Sequence, residues 1–294
     1  MDFKTPGASM ASNGEIEGVV GFLGAGRMAQ ALAAGFVRGG LVSASNLIAY
    51  NPSPAAGEAF IDAVGPDGRL AASPSELAKA ARIVFLAVKP QKAPEALASV
   101  AKDWRAGEQL LVSVAAGVTL AALAAPLPKG SAVVRVMPNT PSLIGKGASC
   151  YALGEHATAE HSADVGRLLS AVGFASETPE KLLDAVTGVS GSGPAYVYTM
   201  IEAMADGGVR AGLPRALAAE LAARTVAGAA EMVITTGEHP AALRDAVASP
   251  GGTTIAGLAE LERHGIRSAL IEAVTTAARR SAELGQQQPG QGNK

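Results

Sequence analysis

Several kinds of residue are scarce in this chain. Cys150 is the only cysteine among 294 residues, which excludes an intrachain disulfide, a zinc site built on cysteine pairs and a CxxC redox pair. Neither charge is in excess: 24 Lys and Arg stand against 26 Asp and Glu, leaving no net field to draw the chain to nucleic acid or an anionic membrane. Long uncharged runs are missing too. Glu202, Asp206, Arg210, Glu220, Arg224 and Glu231 break the most apolar stretches before any reaches the length of a membrane helix. The histidines, His156, His161, His239 and His264, lack metal-ligand spacing and fall in polar contexts at expected helix ends. Residues 1–18, rich in Gly, Ser, Ala and charge, have no apolar signal core and are expected to be a flexible tail, as are residues 286–294. A reducing cytoplasm is the expected location.

Apolar bulk is what the chain has, at 48% of residues, and its length favours two domains over one. Between Val19 and Val136, short β-branched runs alternate with Ala-rich stretches, the pattern of βαβ units on a parallel sheet. Strands are expected at Val19–Leu23, Asn46–Tyr50, Ile83–Val88, Gln109–Val114 and Ala132–Met137. The helices between them are expected at Met28–Gly39, Ser53–Val64, Ser75–Ala81, Pro94–Asp103 and Leu120–Ala125. Beyond Pro141 come a strand at Ala148–Leu153, a helix at Thr158–Val172 and a short extended piece at Phe174–Ser176. From Glu180 onward Ala, Leu, Met and spaced charges take over, so an α/β domain over 19–180 gives way to an all-α domain over 181–285. Gly212 and Pro214 separate two long helices, 193–211 and 214–236, whose apolar residues spread around much of their circumference. That distribution suits burial in an oligomer; a single-chain bundle is the alternative.

The glycine loop carries the first chemical signal. Val19–Leu23 runs into Gly24-Ala25-Gly26-Arg27-Met28-Ala29, a GxGxxA turn between an expected strand and an expected helix. Gly24 permits the tight turn, Gly26 admits a pyrophosphate close to the backbone, and Ala29 is small enough for the helix to lie on the strand. Leu23 to Met28 are thus the expected Rossmann-type dinucleotide site, a plain strand-turn-helix being the other reading. An NAD site usually ends its second strand in a carboxylate, but Leu47–Ser53 has none. Asn51 and Ser53 are therefore candidates to bond a 2′-phosphate, making NADPH the expected cofactor with NADH admissible; a turn and a helix cap are their other reading. Ala87-Val88-Lys89-Pro90 and Ala115-Ala116-Gly117 follow two further strands at the same expected sheet edge. Lys89 is placed near ribose or substrate, or is simply a surface lysine, while the small Ala115–Gly117 residues leave room for a nicotinamide. In Met137-Pro138-Asn139-Thr140-Pro141, Asn139 is the candidate to orient the nicotinamide amide, and the prolines fix the turn.

These segments occur in one order with Gly188-Val189-Ser190-Gly191-Ser192-Gly193-Pro194-Ala195-Tyr196 and Ser249-Pro250-Gly251-Gly252-Thr253-Thr254-Ile255. In that combination, from about Val19 to Leu284, the chain resembles the pyrroline-5-carboxylate reductases. The resemblance implies NAD(P)H-dependent reduction of 1-pyrroline-5-carboxylate to L-proline, the last step of proline synthesis. It also implies dimers of interleaved C-terminal helices, in the family often assembled further into rings, with each substrate site shared by two chains.

The reaction needs a hydride donor, a grip on a carboxylate and a polar partner for the ring nitrogen, and no metal. The small loop ahead of the helical run Ile255–Arg263 offers free backbone N–H groups for the carboxylate. The expected substrate contacts are Val247, Ser249, Gly251, Gly252, Thr253 and Thr254, and the resemblance puts the Thr254 hydroxyl beside the ring nitrogen as the catalytic group. Ser249 and Thr254 capping the next helix is the competing reading. Ser190, Ser192 and Pro194 open the long helix, where glycines allow close approach to cofactor or partner, or tight helix packing. Asp206 and Arg210 are spaced for an ion pair. A 3-hydroxyacid dehydrogenase would place a lysine base after its glycine motif, and Gly188–Ala205 contains none. A non-catalytic nucleotide-binding scaffold would have no use for the complete SPGGTT loop.

Overall fold

The computed structural model describes residues 14–286, which fall into two compact units. One runs to Gly191 and resumes at Arg279; the other is Ser192–Ala278. The tails expected at 1–18 and 286–294 lie outside the described residues except for 14–18 and Gln286. Residues 14–18 depart from that expectation: Ile16 is only 2% exposed, its N–H bonds Leu41 O at 2.7 Å, and Arg82 Nε bonds Glu17 O at 2.7 Å.

In the first unit the order is β1 (Val20–Leu23), α1 (Arg27–Arg38), β2 (Leu47–Tyr50), α2 (Pro54–Val64), β3 (Arg69–Leu70), α3 (Pro74–Ala80), β4 (Ile83–Leu86), α4 (Ala93–Ala101), β5 (Leu110–Ser113) and α5 (Leu120–Ala124). Then follow β6 (Ala132–Met137), β7 (Gly147–Leu153), α6 (Ala159–Ser170), β8 (Gly173–Glu177), α7 (Leu183–Val186) and a π-helical turn at Thr187–Gly191. All strands join one 8-stranded sheet in the order β3-β2-β1-β4-β5-β6-β7-β8. The central strands are apolar throughout because helices cover both faces of a parallel sheet, and a cluster of buried side chains lies on each face. In one of them Phe22 stacks on Phe85 at 5.1 Å between ring centroids, with Phe36 and Phe60 tilted around it.

From β3 across to β6 the sheet is parallel, as expected for the strands between Val19 and Val136. β7 runs antiparallel to β6, with Val134 opposite Leu153 and Met137 opposite Cys150, before β8 returns parallel to β7. Only a short 3₁₀ turn, Thr140–Ile144, and a few flanking residues join β6 to β7, too little chain for the crossover a parallel pair requires. The two-residue edge strand β3 was not expected either, being too short to show a pattern.

This unit continues past the change in composition at Glu180. Arg135 on β6, 5% exposed, places Nη1 3.1 Å from Glu180 Oε1 and Nη2 3.5 Å from Asp184 Oδ1. A buried guanidinium is costly unless paired, so these acids tie residues after 180 to the sheet.

The second unit holds α8 (Gly193–Arg210), α9 (Arg215–Thr236), α10 (Pro240–Ala246), α11 (Thr253–Arg263) and the larger part of α12 (Ile266–Gln286). α8 and α9 form a hairpin whose buried contacts are Ala205, Ala218 and Ala222, joined by Ile201 and Val209. Gly208 is part of that closeness: a Cβ there would stand 3.1 Å from Ala218 Cβ. Gly212, at φ +104°, turns the chain, and Pro214 occupies the N-cap of α9, one place earlier than a first helical turn would put it. Asp206 does not pair with Arg210 as its spacing suggested. It reaches across the turn to Arg215, which also meets the Asp206 carboxylate once the chain reverses.

Candidate cofactor and substrate sites

The sheet order reverses between β1 and β4, and the loops leaving their carboxyl ends diverge there to open a crevice. Gly24 has φ +103°, and a Cβ on it would lie 2.7 Å from Ala87 O, so both conformation and space require glycine. Gly26 is the N-cap of α1, with nothing within 4 Å of where its Cβ would stand. Among the described residues, the N–H groups of Arg27, Met28 and Ala29 have no hydrogen-bond acceptor. Unpaired amides at a helix start beside an open backbone form an anion cradle.

The cleft at this point measures about 470 Å³. Of the expected cofactor residues, Leu23, Gly24, Gly26, Asn51, Ala87, Val88 and Lys89 line it. Ala25, Arg27, Met28, Ser53 and Pro90 belong to the same segments without lining it. Asn51 ties the rim together: its Oδ1 accepts from Ala25 N at 3.2 Å, and its Nδ2 donates to Ser53 O at 3.3 Å. Ser53 sits at the N-cap of α2, yet its hydroxyl caps nothing, which leaves it exposed with the first amides of that helix. Lys89 is exposed, and no acidic partner is found for it among the described residues. The residues present therefore fit a phosphorylated dinucleotide: free amides at the helix start, a cradle a Cβ would fill, and hydrogen-bond donors without a carboxylate where β2 ends.

Ala115–Gly117 follow β5 and Asn139 follows β6, at the same edge of the sheet but outside this cleft. Asn139 requires a correction. Its side chain, in a residue 7% exposed, is already engaged at both ends: Oδ1 accepts from Ala148 N at 2.9 Å and Nδ2 donates to Ser190 O at 3.1 Å. It clamps the start of β7 to the π-helical turn and does not present its amide to a ligand. Gly191 in that turn packs tightly, with a Cβ falling 2.4 Å from the Met137 methyl carbon.

The second unit carries the other candidate site. Residues 247–252 lead from the end of α10 into α11, whose first residues are Thr253 and Thr254. The helix thus begins earlier than the expected Ile255. Gly252 is its N-cap and no side chain caps it, so neither Ser249 nor Thr254 is used as a capping group. Gly252 N bonds Ser249 O at 3.0 Å, and a Cβ at 252 would lie 2.3 Å from Ser249 Oγ. Gly251 has φ +70°. The turn accepts glycine alone at 251 and packs 252 against Ser249. Among the described residues the amides of Thr253, Thr254 and Ile255 have no acceptor, and the hydroxyls of Ser249, Thr253 and Thr254 have no hydrogen-bond partner. Val247, at the C-cap of α10, is exposed. From Ser249 to Thr254 this loop is exposed except at the half-buried Gly252 and Thr254, and it has enough free donors to suit a small carboxylate.

Two family models match the chain. Residues 19–117 match the NADP oxidoreductase, coenzyme F420-dependent, family, and residues 180–284 match the pyrroline-5-carboxylate reductase dimerisation family. A pyrroline-5-carboxylate reductase of Synechocystis sp. is 46% identical over 270 residues, covering 90% of this chain and 98% of the relative. The chain belongs to the pyrroline-5-carboxylate reductase family. The reductase of Arabidopsis thaliana is 45% identical over 91% of this chain and 95% of its own. Among solved structures, the Plasmodium falciparum reductase with NADP bound shares 32% identity with a TM-score of 0.82, covering 92% of this chain and 99% of that one. The Coxiella burnetii pyrroline-5-carboxylate reductase shares 30% at a TM-score of 0.84, over 91% and 98%.

In this member of the reductase family the cleft also takes in Tyr50, Pro52, Pro74, Lys92, Glu95, Ala96 and Ser99. Tyr50 and Pro52 flank Asn51, whereas no motif marks the others, which come from α3, from α4 and from Lys92 just before it. Burial pushes the Cys150 thiol up, which lowers its thiolate fraction. His161 and His239 serve helix starts, the first in a capping box with Thr158 and the second bonding Ala241 N through Nδ1. No helix among the described residues is long and apolar enough to cross a membrane.

Proposed function

We propose that this chain reduces 1-pyrroline-5-carboxylate to L-proline with NADPH, NADH being an admissible substitute. The observation that carries the reading is the Ser249–Thr254 loop, whose free amides and hydroxyls sit in a chain whose relatives, matched over nearly their full length, are named for this reaction. NADPH, when bound, supplies the hydride. The amides of Arg27, Met28 and Ala29 hold its pyrophosphate, with Leu23 to Gly26 beneath. Asn51, Ser53 and the start of α2 hold the 2′-phosphate, and Ala87 to Pro90, with Lys89 as the charged member, border the ribose. Ala115, Ala116 and Gly117 give the nicotinamide a floor without bulk, and Asn139 braces the strand ends behind it.

In the helical unit, Ser249 and the free backbone N–H groups of Thr253, Thr254 and Ile255 hold the substrate carboxylate, with Gly251 and Gly252 shaping the turn and Val247 against the ring. The Thr254 hydroxyl bonds the ring nitrogen, accepting from the protonated imine and easing the charge change as the amine forms. Residues 19–180 thus serve the cofactor and 181–285 the substrate and self-association. The chain acts as a homo-oligomer built on an interleaved dimer, with larger rings of dimers and each substrate site completed by two chains, in the cytoplasm.

The deciding assay follows NADPH absorbance with and without 1-pyrroline-5-carboxylate while proline is quantified. Substrate-dependent oxidation with matching proline is expected. NADPH binding with no turnover would mark a scaffold and end the proposal, as would oxidation supported only by a hydroxyacid couple.

A further inference from the structure

The terminal helix does not stay with the helical unit. From Arg279 onward α12 belongs to the unit that holds the glycine loop, and its last turns lie against the segment after β5. Gly117, buried at φ +76°, is the point of contact: a Cβ there would stand 3.7 Å from each of Ser281 O, Leu284 Cβ and Gly285 N. The closeness is mutual. A Cβ on Gly285 would lie 2.9 Å from Gly117 O, nearer than real Cβ atoms approach backbone, and 3.9 Å from Thr119 Cγ2. The close approach depends on the missing Cβ at Gly285, whereas a Cβ at 117 would make only ordinary contact and glycine is favoured there by its positive φ.

The same turns are bolted in place. Ser281, 6% exposed, donates its hydroxyl to Asp184 Oδ1 at 2.7 Å, and Asp184 meets Arg135 of β6. Glu180 closes the circuit, its Oε1 accepting from Arg135 Nη1 at 3.1 Å and from Leu120 N, at the loop's far end, at 2.7 Å. Ala115, Ala116 and Gly117 have almost no side chain with which to hold themselves. Ala115 and Val118 are anchored in the core at either side, with Ala115 N donating to Ser113 Oγ at 3.3 Å, and the backbone between them is backed by α12 at Gly117 and by Glu180 at the loop's end.

We infer that the end of α12 is a positioning element for the Ala115–Gly117 loop, acting through Gly285 and Ser281, and that it sets the floor on which the nicotinamide reacts. The inference rests on the reading of that loop as the nicotinamide floor. A loop displaced by a fraction of an ångström would still admit the cofactor, because the phosphates are held elsewhere, but the reacting carbon would be misplaced.

Gly285→Val tests this, since valine suits a helix better than glycine and the added atoms must push Gly117 O. Backbone amide exchange at 115–118 is expected to accelerate by about tenfold or more. Turnover is expected to fall by about tenfold or more while the NADPH dissociation constant stays within about threefold. Gly285→Ala, adding the Cβ alone, gives the same order of effects at smaller size and decides the matter should valine prevent folding. Ser281→Ala is expected to loosen the same amides, and Ser281→Thr to restore them. Unchanged loop exchange in both Gly285 variants overturns the inference, as does a loss in which turnover, NADPH affinity and melting temperature fall together. Wild-type protein that fails to oxidise NADPH with 1-pyrroline-5-carboxylate would strike the functional reading instead, while amide exchange still decides whether the helix holds the loop.

Discussion

The nucleotide unit and the helical unit solve the problem of burial differently. In the first, large side chains such as Phe22, Phe36, Phe60 and Phe85 are wholly enclosed between sheet and helices. In the second, the buried cluster is Ala205, Ala218 and Ala222, while Tyr198, Met204, Leu221, Met232 and Ile234 stay exposed, Ile234 at 76%. At about 25 cal/mol per Å² of apolar surface, three alanines cannot offset the ordering of so many helical residues. The lesson is that the nucleotide unit completes its core alone, whereas the helical unit offers its larger side chains to another chain.

The largest expected effect comes from attacking that exposed face. Leu221→Glu combined with Ile234→Glu should dissociate the oligomer, since burying an unpaired carboxylate costs roughly 3–5 kcal/mol, on the order of 100-fold or more in association. Light scattering should report monomer and turnover should collapse, while calorimetry still registers NADPH binding to the intact nucleotide unit. A fully active dimeric variant would erase the contrast between the units.

Thr254→Ala comes next. It removes one hydrogen bond to a charged centre, worth about 1.5–3 kcal/mol, so kcat/KM should drop roughly 10- to 150-fold with fold, oligomer and NADPH affinity kept. Because Gly252 is the N-cap and no hydroxyl caps α11, little helix stability depends on Thr254. Thr254→Ser should recover most activity. An alanine variant within about threefold of wild type would remove Thr254 from the mechanism.

The smallest effect is expected in the nucleotide unit. Asn51→Asp keeps an acceptor for Ala25 N but sets a carboxylate where the 2′-phosphate is proposed to bind, and should shift preference toward NADH by about tenfold, near 1.4 kcal/mol. The ratio of kcat/KM for the two cofactors measures it. No shift, or a wild type that already prefers NADH, would show that Asn51 serves the glycine loop alone.

Much of the fold is legible in the sequence because its signals are local. The strand and helix segments before Val136 lie within a residue or two of where periodicity puts them, and α8 and α9 nearly so. Gly24 announces its own turn through a positive φ, and residues 251–254 are recognisable from small side chains ahead of a helix. Asn139 was misread for a reason of the opposite kind. A buried amide in a turn next to a site looks the same in sequence whether it faces a ligand or is consumed by Ala148 N and Ser190 O, and only packed neighbours separate the two. Asp206 went to Arg215 because a helical hairpin brings nearer charges than its own helix does.

What the sequence determined by itself is whatever a dozen consecutive residues can encode: the βα alternation, the anion-binding helix start after Gly26, the absence of a carboxylate after β2, and the donor-rich loop before α11. Tertiary structure decided the rest. The antiparallel turn of β7, the lining of the cleft by α3 and α4, the burial of Arg135 between Glu180 and Asp184, and the return of α12 to Gly117 all join residues far apart in the chain. Such contacts form only when the whole core closes, because the cost of bringing distant segments together is met by collective burial and not by any pattern within either segment.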